Sequence, residues 1–216
     1  ALLAISGRSG AASAPALMPL LSQADPSLRI VGLHALAAVG GPQALAAVTG
    51  AIEDQDQGVQ DDAVRTLATW PNNWPDDSGI AQPLLALAKS ERKPSHQILG
   101  LRGYLQYLQG TKQLKDPDKL AKVNEVLPLL KSPEQKQLAA AVLGAIPTPG
   151  TLELLKTFTA DPATTEAACS ALTALAARNA PELSKEERRQ ALQTVLDKSK
   201  NEATRKRADE ALRKMQ

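Results

Sequence analysis

The sequence predicts an all-α fold in which antiparallel helix pairs stack in series, and three observations support it. Apolar residues make up 43% of the 216 residues but aromatic residues only 2%, so alanine and leucine must provide most of the core. Both are strong helix formers, whereas the β-branched and aromatic residues typical of strands are scarce. The chain also aligns with itself, and capping residues recur along it.

The internal repeat is visible when segment 25–39 is placed above segment 56–70, because the two align without a gap at a spacing of 31. Apolar or small residues then coincide at intervals of four, four and three, which trace one face of a helix. These pairs are Leu28/Val59, Gly32/Ala63, Leu36/Leu67 and Val39/Trp70. The same frame recurs at 95–108, 132–146, 161–175 and 201–215.

Helix starts and connections divide the chain into pairs. A capping side chain opens four of the repeated helices, at Asp25, Ser132, Asp161 and Asn201. Each repeated helix follows another apolar-periodic segment, at 16–24, 43–52, 80–89, 120–130, 151–159 and 186–198. We therefore expect a single domain in which neighbouring pairs share a core. Its pairs are 8–41, 42–71, 78–110, 116–147, 148–180 and 181–216, after a tail of a preceding repeat at 1–7.

The string from Asp25 to Gly40, Asp-Pro-x-Leu-Arg-x-x-Gly-Leu-x-Ala-Leu-x-x-Val-Gly, resembles the second helix of a HEAT repeat. The resemblance covers nearly the whole chain and weakens at 93–118, where the third repeat is longer and lacks the Asp-Pro start. It implies an armadillo-type α-α superhelix, a HEAT-like solenoid of about six pairs. In such proteins the second helices line a concave surface that binds other proteins.

A second resemblance concerns segments 64–71, 101–104 and 144–149, which look similar to helical modules of large environmental bacterial proteins. Those modules are often joined to 3-keto-disaccharide hydrolase domains. The resemblance implies a longer bacterial parent protein, periplasmic or secreted; without it, a cytoplasmic location is expected. Segment 1–7 also matches segment 35–41, the end of a second helix, which again predicts a longer parent.

Composition argues against several kinds of site. The single cysteine, Cys169, excludes an intramolecular disulfide, and two histidines cannot form a metal cluster. Cys169 lies in an apolar helical stretch and is predicted to be a core residue. No apolar run approaches the roughly 20 residues that span a bilayer. We expect no metal, no cofactor and no membrane partner.

Charge is unevenly distributed although the net charge is only +2. Residues 1–80 carry three arginines and eight acidic side chains, so the remaining residues carry a net charge of +7. The cations at 188–189, 198, 200 and 205–207 could contact phosphates, but acidic residues are interspersed among them. We interpret these stretches as exposed, salt-bridged helices, and the overall balance argues against a nucleic-acid partner.

The candidate site is a stripe beside the core positions of the second helices. It consists of His34, Arg65 and Arg102, and Asp62 lies one turn before Arg65. Three cationic or cationisable groups in line could hold an acidic peptide, because arginine offers a bidentate fork. The alternative is that they pair with aspartates or cap carbonyls. The stripe continues to Ala141 and Ser170, so the predicted groove is confined to the N-terminal half.

Other conspicuous side chains receive structural interpretations. Trp70 takes the core position of Val39 and is predicted to be buried, and residues 70–75 are predicted to form a rigid loop. Trp74 either packs over a repeat junction or contacts a partner. His96 is predicted to lie on the surface or in a groove. The pairs Asp54/Asp56, Asp61/Asp62 and Asp76/Asp77 are interpreted as helix caps at turns and helix starts, not as catalytic carboxylates.

The sequence thus favours a non-catalytic protein-interaction or scaffold module. Its expected partner is a protein segment or another domain of its own parent chain, with no small-molecule substrate. The alternative is a HEAT-like nucleic-acid-binding enzyme of the alkylpurine DNA glycosylase type, which the acidic half and the few aromatics oppose. A lyase acting on a bilin-type chromophore is a third possibility, on repeat architecture alone.

Overall fold

A computed structural model describes residues 10–91 and 93–215, and it contains helices and no strand within those ranges. The all-α prediction is confirmed. Short 3-10 turns at Ala11–Ser13, Met18–Ser22, Ala51–Glu53, Ser78–Ile80 and Leu127–Leu129 accompany the α-helices. The α-helices are α1 (Ala14–Leu17), α2 (Pro26–Val39), α3 (Gly41–Gly50), α4 (Gln57–Asn73), α5 (Ala81–Lys89), α6 (Pro94–Gly110), α7 (Asp116–Val126), α8 (Pro133–Leu143), α9 (Pro149–Phe158), α10 (Thr165–Ala176), α11 (Lys185–Lys198) and α12 (Glu202–Arg213).

The chain divides into two compact units, 1–113 and 114–216. In the first unit α2 packs against α4, α4 packs against α6, and α5 lies against α6. In the second unit α8 contacts α10, and α10 contacts both α11 and α12. Within each unit, therefore, the helices predicted to come second in each pair lie against one another in sequence order.

Capping side chains open six of the twelve α-helices in the described ranges. Asp25 accepts from the Ser27 backbone N–H, and Asn201 accepts from that of Thr204. Ser132 forms a capping box with Gln135, in which each side chain accepts from the backbone N–H of the other residue. Three of the four predicted starts are confirmed.

The predicted start at Asp161 is wrong, because α10 begins only at Thr165. The Asp161 carboxylate accepts from the Ala163 N–H at 3.0 Å, which holds a separate turn. The hydroxyls of Thr164 and Thr165 both donate to the Asp161 carbonyl, at 3.2 and 2.8 Å. These local side-chain bonds compete with the helix and delay its first turn.

A side-chain hydrogen bond recurs at one position of the repeat. In four repeats, the side chain of the residue four positions after the start of the frame is the donor. It donates to the backbone carbonyl of the residue that lies six positions before the donor. This bond satisfies a carbonyl in the connection between the two helices of a pair. The four cases are Arg29 to Gln23 at 2.8 Å, Gln60 to Asp54 at 2.6 Å, Thr165 to Thr159 at 3.1 Å and Arg205 to Ser199 at 3.2 Å.

The predicted core face is confirmed except at Leu28. Val59, Leu36, Leu67 and Trp70 are buried. Leu28, in contrast, is 43% exposed. The preceding segment crosses α2 at Gly32, where an added Cβ would lie 2.8 Å from Leu20 Cβ. Leu28 lies one turn before that crossing, so its side chain is left uncovered.

Candidate functional site

Three of the predicted site residues line one groove between α2 and α4. The groove has a volume of about 370 Å³. His34 projects from α2, while Asp62 and Arg65 lie one turn apart on α4. The remaining lining is small or polar and consists of Ala37, Ala38, Thr66, Thr69 and Asn73. We call this surface the N-terminal groove.

His34 and Asp62 form a close pair in the N-terminal groove. His34 Nε2 lies 2.8 Å from Asp62 Oδ2, with side chains 46% and 16% exposed. The contact lacks hydrogen-bond geometry and is an ion pair only when His34 is protonated; Asp62 Oδ2 is buried, with no hydrogen-bond donor among the described residues. One member of the stripe therefore pairs with an aspartate, as the alternative interpretation predicted.

Arg65 and Arg102 differ from His34. Both are exposed. Neither has an ion pair or side-chain hydrogen bond within residues 10–91 and 93–215. Arg65 lies in the groove beside the His34–Asp62 pair, whereas Arg102 is on α6 and does not line the groove. The structure thus brings together three members of the predicted site and places Arg102 on the next second helix.

Trp74 packs over the end of α2 and is half-buried. Its indole Nε1 donates to the Ala37 carbonyl at 2.9 Å. The ring covers Gly40, where φ is 67° and an added Cβ would overlap the indole, so a side chain is excluded there twice over. The structure shows the packing that was one of the two alternatives for Trp74.

The predicted loop at 70–75 is wrong in its first half. Helix α4 continues through Pro71 to Asn73. Pro71 has no backbone N–H to donate, but it lies near the end of the helix, where the Trp74 N–H still donates to the Trp70 carbonyl at 3.0 Å.

His96 is buried, with 4% of its surface exposed, so its predicted surface position is wrong. Its Nε2 lies 2.7 Å from Asp61 Oδ1, and Lys93 Nζ lies 2.9 Å from the same oxygen. These hydrogen bonds, from Lys93 first and His96 second, hold the pKa of the Asp61 carboxyl below its usual value of 3.8. The cluster ties the first turn of α6 to α4.

Asp61→Asn is expected to lower the free energy of unfolding by about 1–2 kcal/mol near neutral pH, because a charged acceptor is lost. Since the folded pKa lies below the unfolded value of 3.8, the stabilisation exists above pH 3.8 and disappears as pH falls through the folded pKa. Urea unfolding between about pH 6 and about pH 2 should show the difference between wild type and variant closing at the acid end. The exposed Glu91→Gln is the control, and a difference independent of pH would contradict the assignment.

The paired aspartates have divided roles. Asp56 caps α4, as predicted, and Asp77 caps the 3-10 turn Ser78–Ile80. Asp61 and Asp62 are not caps, since they lie in the second turn of α4 and contact neighbouring helices. Asp54 accepts both Nε and Nη2 of Arg29 at 3.0 Å. The capping prediction fails where a cation on another helix is in reach.

Cys169 is fully buried, as predicted, and burial raises the pKa of its thiol to about 11. In the described ranges, no group of three or more His, Cys, Asp and Glu side chains is placed to hold a metal ion. A search of the same residues finds no helix with the length and apolarity to cross a membrane.

Sequence reasoning missed a second cleft, in the unit formed by α7–α12. It has a volume of about 380 Å³ and lies between α10 and α12. It is lined by Ser170, Thr173, Ala174, Ala177, Arg188, Thr204, Arg207, Glu210, Ala211, Lys214 and Met215. The prediction that a cationic groove is confined to the N-terminal half is therefore wrong. Extending the stripe from Ser170 to Glu210, with cations on both sides of it, would have found this C-terminal cleft.

Comparison with known proteins bears on the fold alone. The chain is similar to the crystal structure of an engineered protein, with a TM-score of 0.52 and 18% identity, over 94% of this chain and 96% of that chain. No family model matches the chain, and no curated protein matches it.

Proposed function

We propose that the chain is a non-catalytic protein-interaction module built as a HEAT-like α-α solenoid. The sequential packing of second helices within each unit supports this architecture. So does the recurring side-chain bond at Arg29, Gln60, Thr165 and Arg205, which occupies the same position of four repeats. A module of this kind presents one groove for each pair of adjacent second helices.

The observation on which the proposal rests is the exposed Arg65 side chain in the N-terminal groove. Arg65 offers a guanidinium fork that no described carboxylate occupies, which suits a carboxylate on a partner. Beside it, Asp62 Oδ2 is buried and lies 2.8 Å from His34 Nε2, so Arg65 is the charged group that the groove offers to a partner.

The partner we propose is an acidic protein segment, either of another protein or of another domain of the same parent chain. The small residues Ala37 and Ala38 leave room for a backbone to approach α2. Arg102, exposed on α6, would extend the contact to the next helix.

The proposal predicts that Arg65→Ala combined with Arg102→Ala reduces capture of the partner at least about tenfold, because two charge-assisted contacts are lost. The immobilised chain is used in pull-downs from lysate and secreted fraction of the source organism, with mass spectrometry as the readout. Helicity by circular dichroism is expected to stay unchanged, since both side chains are exposed.

The matched control is Lys89→Ala combined with Lys112→Ala. It removes the same charge from exposed positions of the same unit that do not line the groove. A partner lost by the arginine variant and retained by the lysine variant supports the assignment. Equal capture by wild type and the arginine variant would remove Arg65 and Arg102 from the binding surface.

A further inference from the structure

The C-terminal cleft carries three cationic side chains and one carboxylate. Arg207 lies on α12, Lys214 directly follows that helix, Arg188 lies on α11, and Glu210 is the acidic member. Arg207 and Lys214 are exposed and form no ion pair or side-chain hydrogen bond with any residue in the described part of the chain. The cleft therefore has a net positive charge that the described residues leave uncompensated.

Two other cations on α12 are used differently. Arg213 pairs with Asp209 at 2.8 Å, and Arg205 donates to the carbonyls of Leu196 and Ser199. Both side chains contact partners within their own unit, unlike Arg207 and Lys214.

Arg188 is held in place within the cleft and is only partly satisfied. Its Nη1 donates to Asn179 Oδ1 at 2.9 Å, which anchors one end of the guanidinium. Its Nε is buried and has no hydrogen-bond acceptor in the described part of the chain. A buried cationic donor without an acceptor is costly, and a carboxylate bound in the cleft would offset that cost through its attraction to the guanidinium charge.

Apolar side chains line the floor of the cleft. They are Ala174 of α10, Ala177 directly after it, Ala211 and Met215, and Thr173 is buried with its hydroxyl already donating to the Cys169 carbonyl at 2.8 Å. Such a floor suits a small aliphatic side chain, while the rim suits a carboxylate. A free phosphate or a nucleic-acid backbone would leave the floor uncovered.

The C-terminal cleft and the N-terminal groove occupy the same register of the repeat. Ser170 is the equivalent of His34, since each lies nine residues after the start of its frame. On the following second helix, Arg207 takes the place of Asp62 and Glu210 takes the place of Arg65. The two surfaces are thus the same kind of inter-helix groove with the signs of these charges reversed.

We infer that the C-terminal cleft binds an acidic peptide segment, with a carboxylate between Arg188, Arg207 and Lys214 and an adjacent aliphatic side chain on the alanine floor. The inference rests on the proposed protein-binding function but concerns a surface separate from the N-terminal groove. Charge complementarity selects the carboxylate, and the apolar floor selects a peptide over a simple anion.

The test uses a fluorescein-labelled peptide of sequence Ala-Glu-Leu-Glu-Asp-Leu and fluorescence anisotropy with the whole chain. Arg207→Ala combined with Lys214→Ala is expected to weaken binding at least about tenfold. Lys206→Ala combined with Arg213→Ala is the control, because it removes one lysine and one arginine from the same helix outside the cleft. The control is expected to stay within about twofold, since exposed ion pairs contribute little.

Competition with the labelled peptide determines which class of ligand the cleft binds. The unlabelled acidic peptide should displace the probe, whereas inorganic phosphate and a short DNA duplex should not. Equal weakening by both double variants would overturn the inference, because binding would then follow net charge alone. Displacement by phosphate or DNA at comparable concentration would also overturn it.

The Arg65→Ala/Arg102→Ala variant separates this inference from the proposed function. Probe binding that survives in that variant and is lost in the Arg207→Ala/Lys214→Ala variant assigns the peptide to the C-terminal cleft. If the chain does not bind the probe, or if the probe is lost only in the Arg65→Ala/Arg102→Ala variant, the inference for the cleft fails. In both cases the pull-down on the N-terminal groove still tests the proposed function.

Discussion

Trp70→Ala is expected to lower the free energy of unfolding by about 3–5 kcal/mol, because it removes the largest side chain of the core. Trp70 is 1% exposed and ranks first by volume among the fully buried side chains. The indole Nε1 also donates to Asp77 Oδ2 at 3.0 Å, so the substitution leaves a polar contact unmade. Urea unfolding followed by circular dichroism measures the change.

Two further variants serve as comparisons for Trp70→Ala. Trp70→Phe keeps most of the volume and removes the bond to Asp77, so we expect a loss of about 1–3 kcal/mol. Thr69→Ala changes the exposed neighbour on the same helix and should stay within about 0.5 kcal/mol of wild type. If Trp70→Ala cost no more than Thr69→Ala, the packing of α4 described here would be wrong.

Gly100→Ala is expected to destabilise the protein by about 1–3 kcal/mol or more, against the usual sign for a glycine within a helix. An added Cβ would lie 2.6 Å from Leu87 Cβ, 2.7 Å from the Ala88 backbone nitrogen and 2.9 Å from the Leu84 carbonyl oxygen. Two of these atoms belong to the backbone of α5, so the clash can be relieved only if α5 and α6 move apart.

Gly50→Ala is the matched control for Gly100→Ala. Gly50 is the last residue of α3, has helical backbone angles, and has no atom within 4 Å of an added Cβ. Alanine there should stabilise the protein by up to about 1 kcal/mol. Thermal unfolding of the two variants should therefore shift in opposite directions, and a stabilising Gly100→Ala would contradict the close packing of α5 on α6.

Local sequence signals predicted the start of a helix correctly where a single side chain caps that helix. Asp25, Ser132 and Asn201 cap their helices through backbone N–H groups two or three residues away, a distance that sequence spacing specifies. The prediction failed at Asp161, where two threonine hydroxyls three and four residues later compete for the same turn. Side-chain hydrogen bonds within one turn were therefore sufficient to predict the three caps, but they were ambiguous at Asp161.

The candidate site was predicted in part for a related reason. The stripe placed His34, Asp62 and Arg65 together because the repeat register transfers from one helix to the next. It did not indicate that His34 pairs with Asp62, that His96 is buried against Asp61, or that Arg188 joins the cleft from α11. Each of these depends on a contact with a residue outside the side chain's own helix.

The sequence by itself determined the all-α class, the repeat register, the buried position of Trp70 and the three caps, because these follow from composition, helical periodicity and neighbours within one turn. Only the tertiary structure decided which charges are satisfied within the fold and which remain for a partner. It also placed a cationic cleft at the C-terminal end. Those outcomes depend on how closely two helices approach, which spacing along one helix does not encode.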